Sequence, residues 1–169
     1  MVRLGFDIST TVCGWAITED RNKILDCGFI DISKEETSKD KTKLVTDVID
    51  ANKYLPRVEC INVEAALSGF HSGFTSQQVI IKLTRHNAIF CYIIEEYYKK
   101  PICLVQATTA RKQLFGKSRI KNIPPKQYVK SQIDIRFDLS KWTKFNKLKN
   151  EDGRMNDIRD AIVISLYEK

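Results

Sequence analysis

Apolar residues run almost unbroken over positions 2–8, which predicts a short buried strand. Positions 14–18 and 24–32 predict two more, joined by the polar turn Glu19-Asp20-Arg21-Asn22, so the chain opens as an antiparallel meander. Over positions 39–54 the period changes: Leu44, Val45, Val48, Ile49 and Tyr54 fall on one helical stripe, and Pro56 ends it. Cys60-Ile61-Asn62-Val63-Glu64 reads as a brief buried strand that ends on a carboxylate. Positions 68–73 carry loop chemistry, and Thr75 with Gln78 forms a capping box that opens a long helix to about position 98. Val79, Ile80, Leu83, Ala88, Ile89, Tyr92, Ile93 and Ile94 make that helix apolar nearly all round, so it is expected to lie against the sheet. A fifth strand is expected over 101–105, followed by a helix capped near Thr108 or Thr109. Pro124 and Pro125 open another helix in the first-turn position that proline tolerates, ending near Phe137. Positions 141–154 are polar, basic and poor in pattern and read as a loop, and a last helix is expected over 156–167. With no internal repeat and no low-complexity linker, these elements belong to one α/β layer structure with a mixed five-stranded sheet and helices on both faces.

Composition narrows the class. The 169 residues, 43% hydrophobic and 29% charged, describe an ordinary globular chain expected to form a single domain over 1–169. A chain of this size buries roughly 70% of its unfolded surface. No apolar run approaches the ~20 residues of a membrane span, and Met1-Val2-Arg3-Leu4-Gly5-Phe6-Asp7 meets an acid before any signal-peptide stretch develops. A soluble, non-secreted protein of a reducing, cytoplasmic-type compartment is expected. Cys13, Cys27, Cys60, Cys91 and Cys103 agree with that, being odd in number and without a Cys-x-x-Cys pair for zinc.

Charge is unevenly placed. The chain carries +7 overall, but residues 99–149 hold 14 basic and 2 acidic side chains, a net of +12, whereas residues 1–50 are net −3. A cluster of that density points to a polyanion, because neutralising phosphates releases condensed counterions. Phe115, Tyr128, Phe137, Trp142 and Phe145 are interleaved with it and are candidates to stack on unpaired bases, the alternative being that they fill the core.

The carboxylates make the sharpest pattern. Asp7 ends the first strand, Glu64 ends the fourth, and Asp157 and Asp160 are spaced i, i+3 on the last helix. Carboxyl ends of adjacent strands in an open α/β sheet share one crevice. Four carboxylates there would repel unless a cation neutralised them, and hard oxygen ligands of this kind suit Mg²⁺, or Mn²⁺, in a two-metal phosphoryl-transfer site. Each acid taken alone also has an ordinary reading. Asp157, for example, would sit in a first helical turn and interact favourably with the macrodipole.

The run Asp7-Ile8-Ser9-Thr10-Thr11-Val12-Cys13-Gly14-Trp15-Ala16-Ile17, the strand Ile61-Asn62-Val63-Glu64 and the terminal Asn156-Asp157-Ile158-Arg159-Asp160-Ala161-Ile162 resemble the three acidic motifs of RuvC-type Holliday junction resolvases. The order and separations are similar, so the resemblance spans nearly the whole chain. It implies a ribonuclease-H-like fold, a homodimer, and Mg²⁺-dependent paired nicking of four-way branched DNA, with Asp7, Glu64, Asp157 and Asp160 as catalytic metal ligands. Arg111 and Lys112 resemble a basic stretch near the scissile phosphate, and Lys126 resembles a DNA-contacting lysine at a helix start. Lys117, Arg119 and Lys121 extend the expected DNA-binding surface. Two positions depart from the family pattern. Ser9 stands where a glycine is usual, and Leu67 where bacterial members carry a junction-opening aromatic, a role for which Phe70 and Phe74 are the candidates.

Other readings compete. Asp7-x-Ser9-Thr10-Thr11-x-x-Gly14 also resembles the first phosphate loop of the sugar-kinase, Hsp70 and actin superfamily, but those proteins need two such domains around a cleft. A ribonuclease H or other branched-DNA nuclease, and a junction-binding module without catalysis, share the expected fold. His71, in the loop after Glu64, is a candidate general base, with His86 the other histidine. Ser9, Thr10 and Thr11 lack a base partner at a recognisable spacing, so turn roles are expected for them.

Overall fold

The computed structural model describes residues 1–66, 77–145 and 152–169, and their side chains apart from those of 143–145. Strands β1 (Val2–Ile8), β2 (Val12–Glu19) and β3 (Lys23–Asp31) form the expected antiparallel meander. The chain then runs through helix α1 (Ser38–Asp50) and a single 3-10 turn (Leu55–Arg57) into β4 (Cys60–Glu64). β4 pairs parallel with β1, and β5 (Ile102–Val105) pairs parallel with β4, giving the order β3-β2-β1-β4-β5. The sheet is therefore mixed and five-stranded, as expected.

Strand alternation gives the sheet two apolar faces with different coverings. Leu4, Phe6, Ile8, Trp15, Ile61 and Val63 pack with Val45 and Ile49 of α1 and with Phe90 and Ile94 of α2 (Gln77–Tyr98). The other face receives the last helix, α6, with α3 (Ala107–Phe115), α4 (Pro125–Arg136) and α5 (Ser140–Phe145) around it. α6 (Arg154–Ser165) is the central element of that layer, with Met155, Ile158, Ala161, Ile162, Val163 and Ile164 all buried. Its far end is held by Asn62 of β4, whose side-chain amide donates to the carbonyls of Ile164 (2.8 Å) and Tyr167 (3.0 Å).

Four expectations need correction. α2 is amphipathic, not apolar all round: it buries His86, Asn87, Phe90 and Ile94, a single helical stripe, and exposes Val79, Ile81, Tyr92 and Tyr97. The reason is that α2 covers the sheet with one face only, its neighbour in the layer being α1. The helix after β5 begins at Ala107, ahead of Thr108 and Thr109, with Gln106 at the cap position making no side-chain cap bond. The stretch expected to be a loop from 141 contains most of α5, started by Asp138, whose Oδ1 accepts the Ser140 N–H at 2.9 Å, and docked by Trp142, whose indole N–H donates to Asp26 Oδ1 at 3.1 Å. α1 stops at Asp50, and Pro56 lies in the 3-10 turn that follows. Thr75 of the expected capping box lies outside the described residues.

All five cysteines are unpaired, Cys13 and Cys27 fully buried. Burial pushes the Cys13 and Cys27 thiols well up and the Cys91 thiol to about 11, which keeps them protonated. Among the described residues no helix is long and apolar enough to cross a membrane.

Candidate active site

Parallel pairing of β1 with β4 brings two carboxylates to one edge of the sheet. Phe6 pairs with Val63, so Asp7 and Glu64, one residue further, stand level on adjacent strands. Each stands two residues beyond, and so on the same sheet face as, a residue turned towards α6: Gly5 lies against Ser165, and Asn62 bonds the end of the helix. α6 supplies Asp157 and Asp160, one turn apart.

Glycine sets the depth of that helix. Gly14 of β2 pairs with Asp7, and a Cβ built on it would stand 2.2 Å from the carbonyl oxygen of Asp157. At Gly5 a Cβ would stand 2.4 Å from the backbone nitrogen of Ser165. Two strand glycines thus let α6 press its backbone onto the sheet and deliver Asp157 beside the strand ends.

Asp7, Glu64, Asp157 and Asp160 line one cleft of about 270 Å³, together with Ser9, Val12, Asn87 and Lys126. All four carboxylates are partly buried. Asp7 is held well above the usual carboxylate range, first by burial, then by a hydrogen bond shared with Glu64 and by the charges of Glu64, Asp160 and Asp157. Asp157 is also raised, chiefly by burial, with the Lys126 charge opposing the shift and Asp160 adding to it. Asp160 is paired with Arg111 of α3 at 2.9 Å, both side chains being close to nine-tenths buried. Among the described residues, no three His, Cys, Asp or Glu side chains already form a cage for a metal ion. The carboxylates face two side-chain cations, Lys126 and Arg111. The donor set, all hard oxygen with more negative charge than its own partners neutralise, fits a divalent cation of the Mg²⁺ or Mn²⁺ kind.

Several sequence candidates fall elsewhere. Lys126 lines the cleft at the first turn of α4, while Lys112, Lys117, Arg119 and Lys121 are exposed on and after α3. Arg119 and Lys121 flank a separate hollow with Ile120, Ile123 and Pro125. The interleaved aromatics are mostly structural. Tyr128 is buried, stands edge-on to Phe115 at 5.8 Å and donates its hydroxyl to the Lys117 carbonyl at 3.1 Å. Phe137 and Trp142 pack against the core on the α6 side. They fill space under the basic segment and are not a stacking platform. Leu67, Phe70, His71 and Phe74 lie outside the described residues, as does the Phe145 side chain. His86 is buried and does not line the cleft.

One contributor, Asn87, was not read from the sequence, and the turn role expected of Ser9 is seen. Asn87 donates its side-chain amide to the Glu64 carbonyl at 2.8 Å, fixing the strand end from α2. Ser9, the departure from the glycine pattern, organises the β1–β2 turn: its Oγ accepts the Val12 N–H at 2.9 Å and the Thr11 N–H at 3.2 Å. An ST-type turn rationalises a serine there, and that signal was legible.

The strand order, the single central helix on one face and the acidic edge define a ribonuclease-H-like α/β fold. Its likeness is to RuvC-type resolvases in particular. Thermus thermophilus RuvC in complex with Holliday junction substrate is 16% identical, with a TM-score of 0.66 over 98% of this chain and 91% of that one. Fowlpox virus resolvase in complex with Holliday junction DNA is 17% identical, with a TM-score of 0.52 over 98% of this chain and 95% of that one. A further structure of Thermus thermophilus RuvC is also 16% identical, with a TM-score of 0.63 over 98% of this chain and 92% of that one. At these identities the likeness is one of fold. No protein-family model and no curated protein sequence matches the chain.

Proposed function

We propose that this chain is a metal-dependent endonuclease that resolves four-way DNA junctions by paired nicks, with the single domain 1–169 as its nuclease unit. One observation carries the reading: Asp7, Glu64, Asp157 and Asp160 line a single cleft at the carboxyl edge of a RuvC-like sheet. Asp7, Glu64 and Asp157, with Asp160 once drawn off Arg111, are the groups to hold Mg²⁺ or Mn²⁺, two per site. A pair of such ions supplies a water of lowered pKa as nucleophile and neutralises the leaving oxygen. The chain's own residues do the rest. Asn87 and the Ser9 turn fix the two strand ends, and Gly14 sets the depth of Asp157. Lys126 and Arg111 border the carboxylates and meet the charge of an entering phosphate. Lys112, Lys117, Arg119 and Lys121, exposed on and after α3, extend the backbone contact. Cutting two symmetric strands calls for two sites related by a two-fold axis, hence a homodimer.

The test incubates the protein with labelled four-way junction, linear duplex and RNA–DNA hybrid, each with Mg²⁺ and with EDTA. Paired symmetric nicks confined to the junction and abolished by EDTA are expected. Preferential cutting of the hybrid's RNA strand would move the assignment to a ribonuclease H. Tight junction binding with no cleavage would leave a binding module.

A further inference from the structure

α2 and the turn after β1 serve two hollows at once. Asn87 and Ser9 line the carboxylate cleft, whereas His86 and Thr10, each one residue away, line a second groove of about 560 Å³. Lys82 and Arg85 of α2 form one side of this groove, and Lys39 and Lys41 of the first turn of α1 form the other. Lys41 donates its ammonium to the Thr10 carbonyl, which ties α1 to the turn. Among the described residues Lys39, Lys82 and Arg85 make no ion pair and Glu36 is the one carboxylate that lines the groove. Four cations face one acid here. The amino end of α1 opens into the same space, adding the positive end of a 13-residue helix.

A second observation is independent of that charge. His86 is 3% exposed, and neither ring nitrogen has a hydrogen-bond partner. Buried polar atoms are nearly always satisfied, so an orphaned imidazole whose nitrogens lie just behind the groove wall is a group still in want of a partner, one that a ligand seated in the groove can supply. Burial, with the Lys41 charge, holds the ring's pKa below the ordinary range, so at neutral pH it is uncharged and offers one N–H donor.

We infer that this groove binds a backbone phosphate of the nucleic acid and receives the strand as it leaves the carboxylate cleft. The inference rests on the nuclease reading for its occupant. The chemistry asks for a compact anion with several acceptor oxygens, meeting lysine, arginine, helix N–H groups and a neutral imidazole together. Adjacency selects DNA as its source. Ser9 and Thr10 are consecutive, with Cα atoms ~3.8 Å apart, so the two hollows share a wall no thicker than the chain. A strand with one phosphate at the carboxylates reaches the groove within a nucleotide or two.

The test compares wild type with Lys82→Ala/Arg85→Ala and with His86→Leu. Junction affinity is measured in EDTA across a salt series, and thermal stability is measured with inorganic phosphate and with a polyglutamate peptide as separate probes. Lys82 and Arg85 are exposed, so the double variant is expected to keep the wild-type circular dichroism. It should bind the junction roughly tenfold more weakly at 150 mM salt, with a log K against log salt slope shallower by about 1–2. His86→Leu should raise Tm in anion-free buffer, because an unsatisfied polar ring is gone, and should lose most of any phosphate-induced rise. An unchanged slope in the folded double variant overturns the inference. So does a phosphate-induced rise with no slope change, which would make the groove a site for free phosphate, or a stronger response to polyglutamate than to junction. The two readings fail separately. A wild type that cuts junctions while the variant slope stays put removes the groove alone. A slope that falls in a protein that cuts nothing keeps the groove and removes the nuclease.

Discussion

Gly14→Ala tests whether the depth of α6 is what makes the carboxylate cluster work. The added methyl would stand 2.2 Å from the Asp157 carbonyl oxygen and 2.6 Å from its carbonyl carbon, where ordinary contact begins near 3.4 Å. Backbone lies on both sides, so no side-chain rotation relieves the clash, and α6 must retreat by about 1 Å at that end. The helix cannot slide as a whole. Asn62 holds its carboxyl end through two carbonyls, and the guanidinium of Arg159, 1% exposed, is paired with Asp134 of α4 at 2.9 Å. The amino end therefore tilts away, carrying Asp157 from Asp7 and Glu64. Overpacking of this kind costs about 1–3 kcal/mol, which lowers Tm by roughly 3–10 °C for a chain this long. A catalytic group displaced by about 1 Å loses on the order of 100-fold in rate. Single-turnover cleavage of a four-way junction, run well below the variant's Tm with Mg²⁺ saturating, should show that loss while affinity in EDTA stays at the wild-type value. Gly5→Ala is the control. Its methyl meets Ser165, eight residues along the helix from Asp157, or roughly 12 Å at 1.5 Å per residue. A similar fall in Tm with a rate loss of about tenfold or less is expected. If Gly14→Ala cuts at the wild-type rate, or the two glycine variants lose rate equally at equal stability, the placement argument is wrong.

Asp157→Asn should abolish cleavage, by at least about 1000-fold, while junction binding in EDTA is retained or tightened, because a metal-holding oxygen and a negative charge near phosphate are both removed; cleavage at the wild-type rate would displace the proposed site. Lys126→Ala and Lys112→Ala should each weaken junction binding and shallow the salt slope by about 0.9, read by anisotropy titration at four or more salt concentrations. The pH dependence of stability follows from Asp7. Its carboxyl is raised above 3.8 by burial and by Glu64, so the folded state keeps a proton that the unfolded chain has already released. In EDTA that contribution is complete below the unfolded value of 3.8 and is lost as pH rises through the raised folded value. Asp7→Asn should flatten this fall, leaving a chelated variant more stable than wild type at pH 8, and added Mg²⁺ should recover the wild type alone. Denaturant melts at pH 5 and 8 decide it, and parallel pH curves for the two proteins would refute the assignment.

What could be read ahead of the fold were the features with a local period. Asp7 and Glu64 each end a short apolar strand, so their position follows from alternation, and Asp157 and Asp160 share a helix face because they are three apart. The Ser9 turn was equally local. Features that depend on which surfaces meet were not legible. Gly14 stood inside a quoted motif, yet its role appears only once the backbone of Asp157, 143 positions later, is known to lie on it. The helical character of α5 depends on Trp142 finding Asp26, 116 residues away, and outweighs a local sequence that is merely polar and basic. α2 misled for the opposite reason. Its apolar residues outnumber the positions its single buried stripe can use, and hydrophobicity alone does not say which of them the sheet will cover.

The basic window and the acidic cluster looked like two zones in the sequence, and the structure interleaves them. Of residues 99–149, Lys126 lines the cleft and acts on Asp157, and Arg111 is paired with the cleft's Asp160. This arrangement couples the two ligands of the proposed enzyme. A phosphate that engages Arg111 takes it from Asp160, and the released carboxylate gains affinity for a divalent cation. By linkage the cation must favour DNA to the same degree. Calorimetry should therefore find Mg²⁺ bound more tightly in the presence of non-cleavable junction than in its absence, by roughly 5-fold or more for a typical coupling. Arg111→Met removes the competitor. The Asp160 charge is then buried without its partner, so the variant should lose about 3–5 kcal/mol of stability in EDTA and regain part of it on adding Mg²⁺. Its Mg²⁺ affinity should already be high without DNA, and the coupling should shrink towards unity. Equal coupling in wild type and Arg111→Met would mean that the arginine is a structural tie and nothing more.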